Sequence, residues 1–61
     1  MDQRFQLTLL LDDEMLKKVG GYYIYRSMEE KNGKPIIDGV YVRRDAVDGD
    51  PPEAMSLLLE W

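Results

Sequence analysis

The chain has no cysteine and no histidine among its 61 residues. Those two absences exclude a disulfide framework, thiolate-held zinc and iron–sulfur clusters, thiol nucleophiles and imidazole acid–base chemistry, because each needs a side chain that is missing. No apolar run reaches the roughly 20 residues a membrane-spanning helix requires, and the N-terminal stretch has neither a basic n-region nor a small-residue cleavage site. We therefore expect no membrane association and a cytoplasmic location, which the lack of disulfides suits. Basic residues are scarce as well. Eight Lys and Arg stand against 12 Asp and Glu, a net charge of −4 that opposes generic phosphate binding. A chain of this length makes a single domain, 1–61, and buries only about 60% of its unfolded surface. Without a covalent staple, the remaining way to bury more is a partner, and a second copy is the commonest one.

What the sequence does have is one strong organising stretch, Tyr22 to Arg44. Two runs rich in Tyr, Ile and Val flank Glu30-Lys31-Asn32-Gly33-Lys34, and Asn-Gly is the leading signal for a type I′ hairpin turn, since both central residues take positive φ. With Asn32 and Gly33 at the tip, Lys31 faces Lys34, Tyr25 faces Val40, Ile24 faces Tyr41 and Tyr23 faces Val42. Pro35 then falls opposite Glu30 in a non-hydrogen-bonded pair, where its missing N–H costs nothing. Alternation puts Tyr23, Tyr25, Val40 and Val42 on one face and Tyr22, Ile24, Tyr41 and Met28 with Arg26 and Arg43 on the other, so neither face is plainly polar.

On the N-terminal side, Arg4 to Leu11 alternates with Phe5, Leu7, Leu9 and Leu11 on one face, the pattern of a half-buried strand. Asp12 to Val19 follows as a short helix: Asp12 is an N-cap, Asp13 and Glu14 oppose the dipole, Lys17 and Lys18 lie in the last turn, and Gly20 is placed to take the left-handed position after the helix. An irregular excursion is the rival reading of 12–19. Asp45 to Ala54 is a loop punctuated by Asp48-Gly49 and Pro51-Pro52. Met55 to Trp61 alternates like the first strand, with Leu58 as its exception just as Leu10 is the exception there. Those matching irregularities predict that the first and last strands are neighbours or share one covering element. The resulting expectation is an α+β, mainly β fold: a small antiparallel sheet with strands near 3–11, 21–29, 36–44 and 55–61, built on the 22–44 hairpin with one helix over 12–19. Its core should hold Phe5, Leu7, Leu9, Ile24 or Tyr25, Val40, Val42, Leu57 and Leu59.

Little in the chain offers chemistry. Asp45, Asp48 and Asp50 around Gly49 do not have EF-hand spacing, since the position for the closing Glu is Ser56, and they read as a solvated turn. Asp12 with Asp13, and Glu29 with Glu30, are adjacent pairs better explained by capping and strand alternation than by acid–base work. We expect no catalytic residue, no metal and no cofactor. The best candidate interface is Tyr22, Arg26, Tyr41 and Arg43, with Leu58 and Trp61 from the last strand, because aromatic and Arg side chains are enriched where proteins meet. The functional expectation is a non-enzymatic protein-binding module that self-associates as a homodimer. A dimeric β-ribbon DNA-binding regulator is the alternative, disfavoured by the acidic balance; a structural subunit of a phage or bacterial assembly is a third reading.

Two resemblances bear on this. Arg4 to Val19, RFQLTLLLDDEMLKKV, resembles the opening of ribbon-helix-helix repressors, which implies a dimeric ribbon that reads DNA; the likeness ends at Gly20-Gly21, where the family's second long helix has no counterpart. Gly39 to Glu60, with Tyr41-Val42-Arg43-Arg44-Asp45-Ala46, Pro51-Pro52 and Leu57-Leu58-Leu59, is similar to small, functionally uncharacterised bacterial and phage proteins rich in β-structure. That second likeness implies a miniature all-β or α+β domain and carries over no functional residue.

Overall fold

The computed structural model describes residues 3–61; Met1 and Asp2 lie outside the described residues. The elements run β1 (Arg4–Leu11), α1 (Asp13–Lys18), β2 (Tyr22–Ser27), β3 (Glu30–Lys31), β4 (Lys34–Pro35), β5 (Val40–Arg43), a 3-10 turn over Arg44–Ala46, and β6 (Ala54–Glu60). Four strands lie side by side in the order β5, β2, β1, β6, all antiparallel, while β3 and β4 form a separate two-stranded ribbon. This is the α+β, mainly β architecture that the alternation and capping signals imply.

The hairpin register is the expected one. Asn32 and Gly33 take φ of 55° and 76°, the left-handed values of a type I′ turn. Lys31 faces Lys34, Glu30 faces Pro35, and further out Tyr25 faces Val40, Ile24 faces Tyr41 and Tyr23 faces Val42. The ladder is nevertheless interrupted, which corrects the strands expected over 21–29 and 36–44. The buried Ser27 uses its side chain where the backbone would otherwise pair: its Oγ accepts from the Ile37 N–H at 3.0 Å and donates to the Glu29 carbonyl at 2.9 Å. Asp38 and Gly39 are squeezed out of the ladder, so β5 begins only at Val40. Beyond the break, Ile36 N–H donates to the Glu29 carbonyl, and Pro35 sits between hydrogen-bonded positions as its ring requires.

β1 and β2 are the two inner strands of the sheet, and β1 joins the hairpin to the last strand. Leu9, Leu10 and Leu11 pair with Ser27, Arg26 and Tyr25 of β2, while Arg4 to Leu10 pair with Glu60 to Ala54 of β6. The first and last strands are thus neighbours. Leu7, Leu9, Ile24 and Tyr25 are buried, with Val40, Val42 and Leu57 half-buried. Tyr25 is the keystone: its ring is sealed and its hydroxyl donates to the Pro52 carbonyl at 2.8 Å, which ties the loop entering β6 across that face. Phe5 and Leu59, expected in the core, stay 45% and 38% exposed. They sit at the far end of the same face, at the opposite end of β6 from the loop that Tyr25 holds.

α1 begins as its sequence dictates. Asp12 Oδ1 accepts from the N–H groups of Glu14 and Met15 at 3.1 and 3.3 Å, and its Oδ2 meets the Arg26 guanidinium at 3.0 Å. The C-terminal end corrects the expectation. Val19 is already extended, and the left-handed residue is Gly21 (φ 85°), not Gly20. The open carbonyls of Leu16 and Val19 are taken instead by the Arg44 guanidinium, 2.9 Å from each, which also lies 4.9 Å from the centre of the Tyr23 ring. A cation at this end also complements the helix dipole.

Candidate functional site

The residues named from sequence fall into two places. Tyr22, Arg26, Tyr41, Arg43 and Leu58 share one face of the sheet, and Trp61 lies on the other. Tyr22 and Tyr41 meet edge to face with ring centres 5.9 Å apart. Leu58 is not beside them: it faces Gln6 on the opposite margin of the sheet, whereas Tyr22 lies past the end of β1. The arginines of this face are engaged by carboxylates. Arg26 contacts Asp12 and Asp38 at 3.0 and 3.2 Å, Arg43 forms a two-pronged pair with Asp45, and Arg4 Nε lies 3.8 Å from Glu60. The Arg43 guanidinium is held above its ordinary pKa by that hydrogen-bonded Asp45. Neutralised in this way, the face carries no free basic stripe.

A different constellation gathers at β6. This strand forms one outer margin of the sheet, and among the described residues nothing pairs with its outer side. Its hydrogen-bonding direction follows from three backbone contacts. Gln3 and Trp61 exchange both N–H to carbonyl bonds at 3.0 and 3.1 Å, and Leu11 N–H donates to the Glu53 carbonyl at 2.9 Å. In an antiparallel ladder such pairs alternate. Met55, Leu57 and Leu59 therefore turn their backbone groups toward β1, and Ala54, Ser56, Leu58 and Glu60 turn theirs outward. On the face that holds Tyr25, the margin continues into an apolar cluster: Phe5 stacks on Trp61 with ring centres 6.1 Å apart, and Leu59, opposite Phe5, stands beside them.

Phe5 and Leu59 are members of this constellation that alternation assigns to the core. What separates them from Leu7 and Leu57 is position: they pair with each other near the end of the β1–β6 ladder, away from the loop that Tyr25 holds. Elsewhere an open groove between the start of α1 and the β3–β4 ribbon is lined by Leu10, Asp12, Arg26, Met28, Glu30 and Pro35. Its one cation, Arg26, is already paired. Among the described residues no three His, Cys, Asp or Glu side chains gather to hold a metal, and no helix is long and apolar enough to cross a membrane.

Compared with family models, curated proteins and solved structures, the chain finds no match.

Proposed function

We propose that this chain is a non-enzymatic protein-binding module that accepts a partner strand along β6. The observation that carries the reading is the construction of that margin: a seven-residue strand whose outward backbone groups are unpartnered and whose only charge is the terminal Glu60. An extended segment laid beside it gains main-chain hydrogen bonds, and the neighbouring side chains supply selectivity. Phe5, Leu59 and Trp61 would flank such a strand on one face and Leu58 on the other. Natural sheets blunt margins of this kind with Lys, Pro or a bulge unless the margin has a use.

The alternative of a DNA-reading ribbon has less behind it. β1, the strand that would form the ribbon, is bonded on both sides within its own chain, and Arg4, Arg26 and Arg43 are engaged by carboxylates.

Leu58→Pro tests the strand-addition reading. It deletes an outward N–H and sets a ring against any incoming strand while sparing the bonds to β1. A partner that co-purifies with the unaltered chain from its native host and is lost with Leu58→Pro supports the reading. Equal recovery by both overturns it. Titration with random duplex at low salt, where phosphate contacts are strongest, is expected to give no binding.

A further inference from the structure

The outward groups of β6 are self-complementary, and we infer that the partner strand is β6 of a second copy, in one register. This inference rests on the strand-addition reading and names its occupant. Two antiparallel copies related by a two-fold axis can pair outward groups only with outward groups, so a slip of one residue is ruled out. Placing Leu57 opposite Leu57 of the second copy sets Ser56 opposite Leu58 and Ala54 opposite Glu60. Every outward N–H and carbonyl of Ala54, Ser56, Leu58 and Glu60 is then satisfied on both chains. A slip of two residues in one direction leaves Ala54 of each copy without a counterpart in the strand; in the other direction it sets Glu60 against Pro52, which has no N–H.

Side chains agree with the backbone. In this register Met55 faces Leu59 of the second copy and Leu57 faces its own image, so apolar side chains adjoin on the Tyr25 face, where Leu59 is 38% exposed in one chain alone. Charge does not oppose the arrangement. Glu60, the one ionised residue of β6, faces Ala54 rather than its own image and lies 3.8 Å from Arg4 of its own chain. A two-fold perpendicular to the sheet keeps like faces together, and both Phe5–Trp61 stacks come to lie on the same side of one continuous sheet.

Cysteine scanning decides the register, because the chain has no thiol of its own. Leu57→Cys places two thiols across a non-hydrogen-bonded pair with Cα atoms about 4.5 Å apart, inside the range a disulfide spans; Ser56→Cys and Leu58→Cys leave them on a diagonal about 7–8 Å apart. Under mild oxidation Leu57→Cys should cross-link at least tenfold faster than the other two, and the unaltered chain should sediment at twice its 7.1 kDa mass. Amide exchange on the unaltered chain gives a readout free of any substitution: the Ser56 and Leu58 amides should be protected at least tenfold and lose that protection on dilution. Fastest cross-linking at Ser56 or Leu58 overturns the register. A monomer whose Ser56 and Leu58 amides exchange freely overturns self-pairing yet leaves strand addition by another protein standing. A dimer that survives Leu58→Pro and in which all three thiols react slowly overturns self-pairing through β6, whereas strand addition itself falls only if a partner is recovered equally with Leu58→Pro.

Discussion

The two margins of the sheet, β5 and β6, are made differently. β5 has four residues and β6 has seven. Pairing of Val40 and Val42 with Tyr25 and Tyr23 turns the backbone of those valines inward, so Tyr41 and Arg43 alone present backbone groups to the outside of β5. On β6, Ala54, Ser56, Leu58 and Glu60 do so. The short margin is stopped at both ends, by the expelled Asp38-Gly39 on one side and by the 3-10 turn at Arg44–Ala46 on the other. The long one is entered from Pro51-Pro52 and has neither Pro nor Lys within it. Both strands are apolar and alternating, so hydrophobic pattern does not distinguish a closed margin from an open one; strand length and the punctuation around it do.

The largest effect should come from breaking the inner rather than the outer side of β6. Leu57→Pro removes an N–H directed at β1 and crowds the ladder, a loss on the order of 3 kcal/mol that a domain of this size cannot absorb. Leu58→Pro, one residue on, should cost about 1 kcal/mol in the fold itself while abolishing association. Urea unfolding followed by circular dichroism, with the mass measured alongside, separates the two; equal destabilisation would mean that the outward assignment of Leu58 is wrong.

At the β5 end of the sheet, Arg44 follows the strand and bridges α1, the Tyr22 carbonyl and the Tyr23 ring. Arg44→Ala leaves the Leu16 and Val19 carbonyls to water and should cost about 1.5–3 kcal/mol, the range for hydrogen bonds that involve a charged group. Arg44→Lys should recover only part of this, since an ammonium lacks the planar fork. A variant indistinguishable from the unaltered chain in thermal unfolding would show that α1 does not need this cap.

On the β6 side, the corresponding tie is Tyr25, whose hydroxyl holds the loop at Pro52. Tyr25→Phe should lose about 1 kcal/mol and should also change the response to alkali. Burial, and secondarily Tyr23, raises the Tyr25 phenol above its ordinary pKa of 10.0. The unfolded chain therefore releases this proton first. Stability contributed by the neutral phenol is present below about pH 10 and is lost as pH climbs through the folded value. Unfolding free energy should fall as pH rises above about 10 in the unaltered chain and fall less in Tyr25→Phe; parallel declines would remove Tyr25 as the cause.

Much of this fold is legible in the sequence because its signals are local. Asn32-Gly33 demands one turn type, and the turn then fixes each pairing from Lys31–Lys34 to Tyr23–Val42. Asp12 likewise announces α1. What is not legible depends on groups distant in sequence. Ser27 interrupts the hairpin through a contact with Ile37, Arg44 replaces a glycine cap 25 residues away from Val19, and Phe5 and Leu59 lie outside the core because, among the described residues, no loop covers them. Alternation says which side chains share a face, never which part of that face is covered. The candidate site follows the same division. Leu58 and Trp61 are named from sequence as interface candidates on the last strand, but that this strand is a margin, and which of its backbone groups point outward, emerges only once β1 is known to occupy its inner side.

The smallest expected effect concerns what keeps β5 closed. Arg43 ends that strand, and its guanidinium is exposed and held in two-pronged contact with Asp45 at 2.7 and 3.0 Å. If charge were the guard, Arg43→Gln would convert β5 into a second adhesive margin and the chain would form open-ended assemblies through both edges. Our reading assigns the guard to length instead: Tyr41 and Arg43 offer too few backbone groups to repay the ordering of an incoming strand, whatever charge they carry. Arg43→Gln should leave the thermal midpoint unchanged within error, as exposed ion pairs contribute little, and should leave the sedimenting mass equal to that of the unaltered chain. Higher assemblies that dissolve when Leu58→Pro is added would place the guard in the Arg43 charge.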